Sequence, residues 1–209
     1  MPYAIFKQIT IASTNRSKID EINQLFKKLL PFSVEVESIQ NYAVREPDEP
    51  YTTFLENARH KAGYYATVTG KPTLSEDSGL CIEGLGNFPG VRSKEFLASF
   101  IELGGDKVAF NMLEKMLKDI KHKNAYFHCT YALYLPQKKH FINYEGQVRG
   151  HLTFPPKGSY GFAYDSIFVP EGYTKTFAEM SIEEKTNISH RNRALKGLIE
   201  EIIKYDKSI

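Results

Sequence analysis

The sequence predicts one α/β domain built around a mixed β-sheet, and three observations lead to this prediction. A strand, a loop, an amphipathic helix and a second strand open the chain, an order typical of a parallel strand pair. Two strands rich in aromatic and β-branched residues, 125–135 and 140–148, are joined by a polar hairpin at 136–139. The 209 residues, 42% of them apolar, can bury one substantial core, so residues 1–209 are assigned to a single domain.

The opening elements are predicted from periodicity and from helix caps. Residues 3–13 form the first strand. Apolar residues at helical spacing then indicate a helix that Asn15 or Ser17 can cap and that ends before Pro31. The alternation of apolar and acidic residues at 34–37 predicts the second strand.

The middle of the chain combines a proline-containing loop with one long helix. Prolines exclude a helix or a central strand at 40–51, which is predicted as an acidic loop. A capping-box pattern opens a helix over 53–69. Strand pieces at 73–74 and 80–82 are predicted on either side of a sharp turn at 76–79, before a long glycine-rich loop.

Four helices and one short strand complete the secondary structure. Helices at 94–103 and 106–119 are separated by a Gly-Gly pair, and a strand is expected at 167–169. A capping box at Ser181 opens a short helix, and a strongly amphipathic final helix covers the stretch from Ala194. We find no repeat, low-complexity segment or linker.

Composition narrows the class of partner. The net charge is only +2 and the basic residues are dispersed, which argues against nucleic acid as the main partner. Cys81 and Cys129 lie in apolar stretches and are interpreted as buried hydrophobic residues. No segment approaches eighteen uncharged apolar residues, and the first ten residues do not resemble a signal peptide. We therefore expect no membrane association and a cytoplasmic location.

The first candidate site is the polar turn between the first strand and the first helix. Hydroxyls, an amide, a lysine and the amides of a helix N-terminus meet there, and such groups bind phosphate oxygens. The turn lacks the glycine spacing of a Walker A loop, so an ordinary helix cap with a solvated lysine is the competing interpretation. The candidate residues are Ser13, Thr14, Asn15, Arg16, Ser17 and Lys18.

The second candidate is a set of carboxylates from separate segments: Asp48, Glu49, Glu56, Glu76 and Asp77. Mg²⁺ prefers a few carboxylates together with water and substrate phosphate oxygens, so these side chains would suit it if they met at one edge of the sheet. The alternative is that they are solvated turn residues, which local sequence favours for the proline-rich loop.

The third candidate is the aromatic loop at 161–165, which contains Phe162, Ala163, Tyr164 and Asp165. A nucleobase needs a flat apolar surface to stack on and polar groups for its edges, and this loop offers both. Aromatic residues placed before a strand are more often part of the core.

The fourth candidate is a cationic group before the final helix, formed by Lys185, Ser189, His190, Arg191 and Arg193. Positive charge at a helix start opposes the helix dipole, so an anionic or acceptor-rich ligand would explain the cluster. A lone histidine is usually structural, but the Ser-His-Arg triple favours a ligand-binding role.

Together these segments resemble the inosine triphosphate pyrophosphatase (ITPase) family, also described as non-standard purine NTP pyrophosphatases. The chain departs from the usual residues at Thr14, Ser17 and Ala163, where glycine is frequent, and at Glu76, where aspartate is usual. The matching segments are Ala12-Ser-Thr-Asn-Arg-Ser-Lys18, Thr53-Phe-Leu-Glu-Asn-Ala58, Glu76-Asp-Ser-Gly-Leu80 followed by Gly86-Asn-Phe-Pro-Gly-Val91, Gly161-Phe-Ala-Tyr-Asp165, and Glu184-Lys-Thr-Asn-Ile-Ser-His-Arg191.

The resemblance implies an elongated mixed sheet of two lobes, with the active site in the cleft between them. It implies Mg²⁺-dependent hydrolysis of ITP, dITP and XTP to the monophosphate and pyrophosphate, by a homodimer. The first polar turn would bind the phosphates. Asp77 with Glu49, or with the neighbouring Asp48, would hold the metal ion. Asp77 would also position or deprotonate the attacking water.

The remaining roles that the resemblance implies concern other contacts with the substrate and with its base. Ser78 and Lys185 would contact the substrate, and Phe162 would stack on the base. Tyr164 and Asp165 would shape the base pocket beside Ala163, while His190 and Arg191 would donate to the 6-oxo group. Two alternatives stay open: a related pyrophosphatase with another base preference, and a nucleotide-binding module without catalysis.

Overall fold

A computed structural model describes residues 4–208, except for the side chains of Ala4 and Ser17. The helices of this part are α1 (Arg16–Leu29), α2 (Phe54–Thr69), α3 (Ser93–Ala98), α4 (Asp106–Met116), α5 (Ile182–Ile188) and α6 (His190–Ser208). The strands are β1 (Gln8–Ile11), β2 (Glu35–Ser38), β3 (Thr73–Ile82), β4 (Phe88–Pro89), β5 (Asn124–Leu135), β6 (His140–Leu152) and β7 (Phe168–Pro170).

The strands form one mixed sheet in the order β2-β1-β3-β5-β6-β7, with β4 paired to β3. β1 runs parallel to both β2 and β3, whereas β4 and β7 run antiparallel to their partners. The parallel pairs are connected by α1 and α2, as expected of crossovers that return the chain to the same edge. The predicted α/β class with a mixed sheet and flanking helices is confirmed.

The chain divides into two compact units, and β3, β5, β6 and α6 each have residues in both. Unit 1 consists of the chain up to Asp77, residues 129–146, and the chain from Arg193 onwards. Its larger core packs α1 and α6 on β1, β3 and β5 through Phe26, Leu74 and Leu198, which are at most 2% exposed. A smaller cluster of Ala58, Ala62 and Ala132 holds α2.

Unit 2 consists of residues 78–128 and 147–192. Its core is rich in aromatic residues: Phe127 lies 4.7 Å from Phe168 and 5.8 Å from Phe177 between ring centroids. α4 adds Phe110 and Leu113 to the same cluster. Burial of such large rings is a major stabilising term for a unit of this size. The assignment of the whole chain to a single domain stays a prediction.

The predicted turn at 76–79 is wrong, because β3 continues unbroken from Thr73 to Ile82. The glycine that indicated a turn is needed for close approach instead: a Cβ on Gly79 would lie 2.2 Å from the carbonyl oxygen of Gly90. Within the strand, the Leu80 amide donates to Ser93 Oγ at 2.9 Å. Tertiary contacts therefore override the local turn signal.

Other boundaries differ by a few residues. The first strand begins only at Gln8, because Ala4–Phe6 form a 3₁₀ turn that buries Phe6; the predicted start at Tyr3 lies outside the described residues. The final helix begins at His190 rather than near Ala194, and α3 ends at Ala98. These ends depend on capping contacts that periodicity alone does not reveal.

The predicted α2 caps are confirmed in detail. Thr53 Oγ1 accepts from the Glu56 amide at 3.2 Å, and Gly70 ends the helix in the left-handed conformation. Cys81 and Cys129 are both buried free thiols, as predicted. Among residues 4–208, no helix combines the length and apolar character needed to cross a membrane.

Candidate functional site

The first polar turn is a helix cap whose outer groups remain exposed. The Asn15 side chain accepts from the Lys18 amide at 3.4 Å, and Ser13 Oγ accepts from the Asn15 amide at 3.1 Å. Thr14 and Arg16 are exposed. The predicted contact of the Ser17 side chain lies outside the described residues. The predicted cap at Asn15 is therefore confirmed, but Lys18 is not the solvated lysine of the competing interpretation, because its ammonium pairs with Glu76. Thr14 remains exposed.

Lys18 carries the charge of this turn. Its ammonium forms an ion pair with Oε1 of Glu76, and the two side chains retain 27% and 13% exposure. A lysine and a carboxylate at this depth are only partly screened by water, so the pair holds the ammonium in a defined place. Glu76, in the place of the usual aspartate, thus contacts Lys18 directly.

Asp77 is the most perturbed carboxyl of unit 1. It is 6% exposed, and its Oδ2 has no hydrogen-bond partner among the described residues. Burial is the largest cause that raises the pKa of Asp77 to about 6; Glu49 and Glu76 raise it further, whereas Lys61 and Asn57 lower it. A buried, unpartnered carboxylate oxygen beside two other acids is the arrangement that a cation stabilises.

Lys61 and Asn57 belong to this group, although the sequence did not single them out as site residues. Lys61 forms an ion pair with Glu49, and its side chain is 11% exposed. Burial lowers the pKa of Lys61, but Asp77, Glu49 and Glu76 raise it above its usual value. Asn57 belongs to the T-F-L-E-N-A segment, and Lys61 follows it by four residues on α2. Residues four apart share a helix face, so this spacing could have identified Lys61 from the sequence.

The other acidic candidates have different positions. Glu56 accepts from Thr53 Oγ1 at 2.6 Å and completes the α2 cap. This capping role accounts for Glu56 in the motif, and no contact of Glu56 with a ligand is needed. Asp48 is exposed, whereas Glu49 turns inward to Lys61 and Asp77. No group of three or more His, Cys, Asp or Glu side chains within residues 4–208 is arranged to hold a metal ion by itself.

The aromatic loop of unit 2 presents one exposed ring on a rigid base. Phe162 is 58% exposed, and its amide donates to Asp165 Oδ2 at 2.8 Å. Gly161 has a φ of 80°, and a Cβ there would lie 2.2 Å from Asp165 Oδ2, so only glycine fits. Tyr164 is buried and donates to the Ser93 carbonyl at 2.8 Å. Tyr164 therefore anchors the loop in the core.

Two cations lie over the exposed Phe162 ring. The Lys185 ammonium is 5.0 Å and the Arg191 guanidinium 5.4 Å from the ring centroid. Lys185 also forms an ion pair with the buried Asp165, and Arg191 donates to Ser78 Oγ at 3.0 Å. Unit 2 thus brings five of the predicted substrate residues together: Ser78, Phe162, Asp165, Lys185 and Arg191.

The Ser-His-Arg triple begins α6. Ser189 Oγ accepts from the Asn192 amide at 3.2 Å, so the serine caps the helix. His190 is 4% exposed and stacks on Phe127 with ring centroids 4.8 Å apart and planes at 9°. The packing fixes the orientation of the imidazole, and the cap satisfies one of the backbone N–H groups at this helix start.

The departures at the usual glycine positions have unequal consequences. Thr14 does not have a positive φ, so a residue with a side chain is unstrained there. Ala163 has a φ of 52°, one of the few non-glycine residues in the left-handed region within the described chain. Of the two departures Thr14 and Ala163, the strained backbone is therefore at Ala163, in the loop that carries Phe162.

Curated relatives cover almost the whole chain. The chain is 38% identical over 198 residues to the dITP/XTP pyrophosphatase of Ruegeria pomeroyi, covering 92% of this chain and 93% of that protein. It is 36% identical over 209 residues to the dITP/XTP pyrophosphatase of Aquifex aeolicus, covering 96% and 99%.

Solved structures agree with the fold. A HAM1 protein from Coxiella burnetii matches with a TM-score of 0.85 at 32% identity, covering 94% of this chain and 98% of that chain. The Staphylococcus aureus Ham1 protein matches with a TM-score of 0.84 at 29% identity, covering 95% and 100%. The sequence model described as Ham1 family matches residues 9–201, so this chain belongs to the Ham1 family.

Proposed function

We propose that this chain hydrolyses non-standard purine nucleoside triphosphates, namely ITP, dITP and XTP, to the monophosphate and pyrophosphate. Water attacks the α-phosphorus, the bond from this phosphorus to the α–β bridging oxygen breaks, and the attacking water loses a proton. The proposal is supported by relatives named dITP/XTP pyrophosphatases and by the charged and aromatic groups described above.

The proposal rests mainly on one observation, the buried Asp77 carboxyl with its raised pKa. Its pKa of about 6 leaves it largely ionised at neutral pH, yet close enough to that pH to accept a proton from water efficiently. The Asp77 oxygen without a partner can orient that water. Lys61 lowers the pKa of Asp77, because its positive charge favours the ionised carboxylate.

Mg²⁺ fits the carboxylates of unit 1. Asp77 and Glu49 are hard oxygen donors, and Asp77 Oδ2 has no protein partner among the described residues. Mg²⁺ needs only one or two protein carboxylates, because it usually keeps waters and takes phosphate oxygens as ligands. When bound, the ion would offset negative charge on the pyrophosphate leaving group.

The phosphates would bind to the turn that precedes α1. The Thr14 hydroxyl, the exposed amides of the helix start and the Lys18 ammonium are donors of the type that phosphate oxygens accept. Lys61 adds a second cation beside Asp77. These lysines bind and orient the triphosphate, and Asp77 handles the proton of the attacking water.

The base would stack on Phe162, whose ring is exposed and held by the Asp165 contact. His190 and Arg191 would donate to the 6-oxo oxygen of hypoxanthine or xanthine. The 6-amino group of adenine would leave such donors unpaired, which costs about 1–3 kcal/mol for each buried group. Base preference therefore rests on unit 2 residues.

A substrate panel tests the function. Pyrophosphate release is measured from ITP, XTP, dITP, GTP, ATP and dUTP with Mg²⁺, and with EDTA in its place. We expect ITP and XTP to have kcat/KM values about ten- to a hundredfold above those of ATP. Equal turnover of GTP and ITP would reject the base preference, and turnover in EDTA would reject the metal dependence. No release from any triphosphate would favour a binding module.

We also propose a cytoplasmic homodimer, as the resemblance implies. The aromatic strands β5 and β6 or the residues 94–103 would supply the contact. Sedimentation velocity checks this: a monomer at micromolar concentration would contradict the proposal.

A further inference from the structure

β3 directs two acidic side chains toward different helices. Alternate residues of a strand face opposite sides of the sheet, so Glu76 shares a side with Leu74, and Asp77 shares the other with Ser75. Leu74 packs in the core of α1 and α6, whereas Ser75 donates to the Ala58 carbonyl of α2. Glu76 accordingly meets Lys18 at the start of α1. Asp77 lies beside Lys61 of α2.

Both carboxylate oxygens of Glu76 have partners in unit 1. Oε1 pairs with the Lys18 ammonium, and Oε2 accepts from the Cys129 thiol with an Sγ–Oε2 distance of 3.7 Å. Cys129 lies on β5 and is 0% exposed, in contact with the apolar core. A thiol is a weak donor, but an ionised acceptor and a low-dielectric setting both strengthen such a bond.

We propose that Glu76 is a positioning residue for Lys18, and that the Cys129 thiol keeps Glu76 in the orientation which does so. The proposal deepens the proposed function, since it rests on Lys18 as a ligand of the substrate phosphates. Cys129 gains a role beyond that of a buried hydrophobic residue.

The residue types fit this role. Lysine has a long flexible side chain, and holding it in one conformation costs conformational entropy that a fixed carboxylate can offset before substrate binds. Glutamate is one methylene longer than aspartate, which helps one carboxylate reach a lysine on α1 and a thiol on β5 together. The Lys18–Glu76 and Cys129–Glu76 contacts span 58 and 53 residues of sequence, so only the fold creates them.

Cys81 provides a matched control. It is also a buried free thiol, on β3 within unit 2. Burial raises the pKa of the Cys81 thiol, and a contact with Tyr126 lowers it to a smaller extent. Cys81→Ala removes the same thiol group from a core without touching Glu76.

Steady-state kinetics with ITP test the role. Cys129→Ala should raise KM about three- to tenfold with a smaller change in kcat, the range expected for one lost hydrogen bond. Cys129→Ser should restore most of the affinity, because the hydroxyl can donate to the same carboxylate. Cys81→Ala should leave KM unchanged even where it lowers the melting temperature. Equal KM values for Cys129→Ala and Cys129→Ser would overturn the proposal.

A double-mutant cycle with Lys18→Ala tests whether the effect passes through Lys18. In that background Cys129→Ala should raise KM less than twofold, since the lysine to be positioned is gone. A full additive increase would show that Cys129 acts by another route and would overturn the proposal.

Infrared spectroscopy tests the contact without any activity. The S–H stretching band of Cys129 should lie below that of Cys81 and shift to higher frequency in Glu76→Gln, whose neutral carbonyl is a weaker acceptor. The Cys81 band should stay unchanged as the internal reference. An unshifted Cys129 band would overturn the proposal, whereas a shifted band in an enzyme inactive on ITP would reject only the proposed function.

Discussion

Unit 1 and unit 2 both pair lysines with carboxylates, but the surroundings of the pairs differ. In unit 1 three acids, Glu49, Glu76 and Asp77, share a neighbourhood with Lys61, and burial, with a smaller effect of the like charges, raises the pKa of Asp77 to about 6. In unit 2 Lys185 forms an ion pair with Asp165 and lies over the rings of Phe162 and Phe177.

This difference separates two kinds of binding. An excess of carboxylates creates a need for a cation and keeps one proton acceptor near neutral pH. One carboxylate per lysine beside an exposed ring creates a polar and stacking surface without excess negative charge. The first arrangement suits a metal-phosphate group, and the second suits a flat base.

The largest effect is expected for Asp77→Asn, which tests whether unit 1 contains the proton acceptor. Removal of the proton acceptor should lower kcat for ITP by about 10²- to 10⁴-fold, the usual range for a general base, with a smaller change in KM. Pyrophosphate release under saturating ITP measures this. A loss of less than fivefold would show that unit 1 holds no proton acceptor at Asp77.

The same substitution should stabilise the metal-free protein. The folded pKa of Asp77, about 6, lies above its ordinary value of 3.8, so its contribution to stability is present at low pH and is lost as the pH rises through 6. Asp77→Asn should therefore raise the free energy of unfolding at pH 8 by about 2 kcal/mol, and by much less at pH 4.

Urea denaturation in EDTA at both pH values measures this effect. An Asp77→Asn protein that is less stable than wild type at pH 8 would contradict the strained, carboxylate-rich arrangement of unit 1. Glu56→Gln serves as a control at an acidic residue of the α2 cap, where Glu56 accepts from Thr53 Oγ1.

Phe162→Ala tests the aromatic arrangement of unit 2. Loss of the exposed ring should raise KM for ITP about five- to a hundredfold, because stacking of a base on an aromatic ring contributes about 1–3 kcal/mol. Competition by inorganic triphosphate, which has no base, should be unchanged. A matching loss of triphosphate affinity would mean that Phe162 acts on the phosphates or on folding.

The paired variants Glu49→Gln and Asp48→Asn sharpen the description of unit 1. Glu49 lies beside Lys61 and Asp77 whereas Asp48 is exposed, so we expect about a tenfold loss of kcat/KM for the first variant. We expect less than a twofold loss for the second. Titration of activity with Mg²⁺ measures both, and the reverse order would assign the metal to Asp48.

The smallest expected effect concerns Ala163→Gly. The φ of 52° strains alanine by about 1–2 kcal/mol, and the greater freedom of glycine in the unfolded chain offsets part of this gain. The net change in the free energy of unfolding should be a stabilisation below about 1 kcal/mol by chemical denaturation. A destabilised variant would show that the alanine methyl group contributes packing that outweighs the strain.

Much of the architecture was readable from local patterns. The α2 caps, the α1 cap at Asn15 and the capping box at Ser181 were predictable because each involves groups within four residues of one another. The same local reasoning failed at 76–79. There a turn-like composition forms a strand, because pairing with β1 and β4 and the approach of Gly90 outweigh it.

The sequence by itself determined the fold class, the family motifs and the kinds of side chain available for phosphate, metal and base. Only the tertiary structure decided that Lys61 joins Asp77 and that Glu76 meets both Lys18 and Cys129. Motifs record residue types, which follow from local chemistry. Pairings such as Cys129 with Glu76 depend on strands brought together from distant parts of the chain, and on the low dielectric created when the core closes around them.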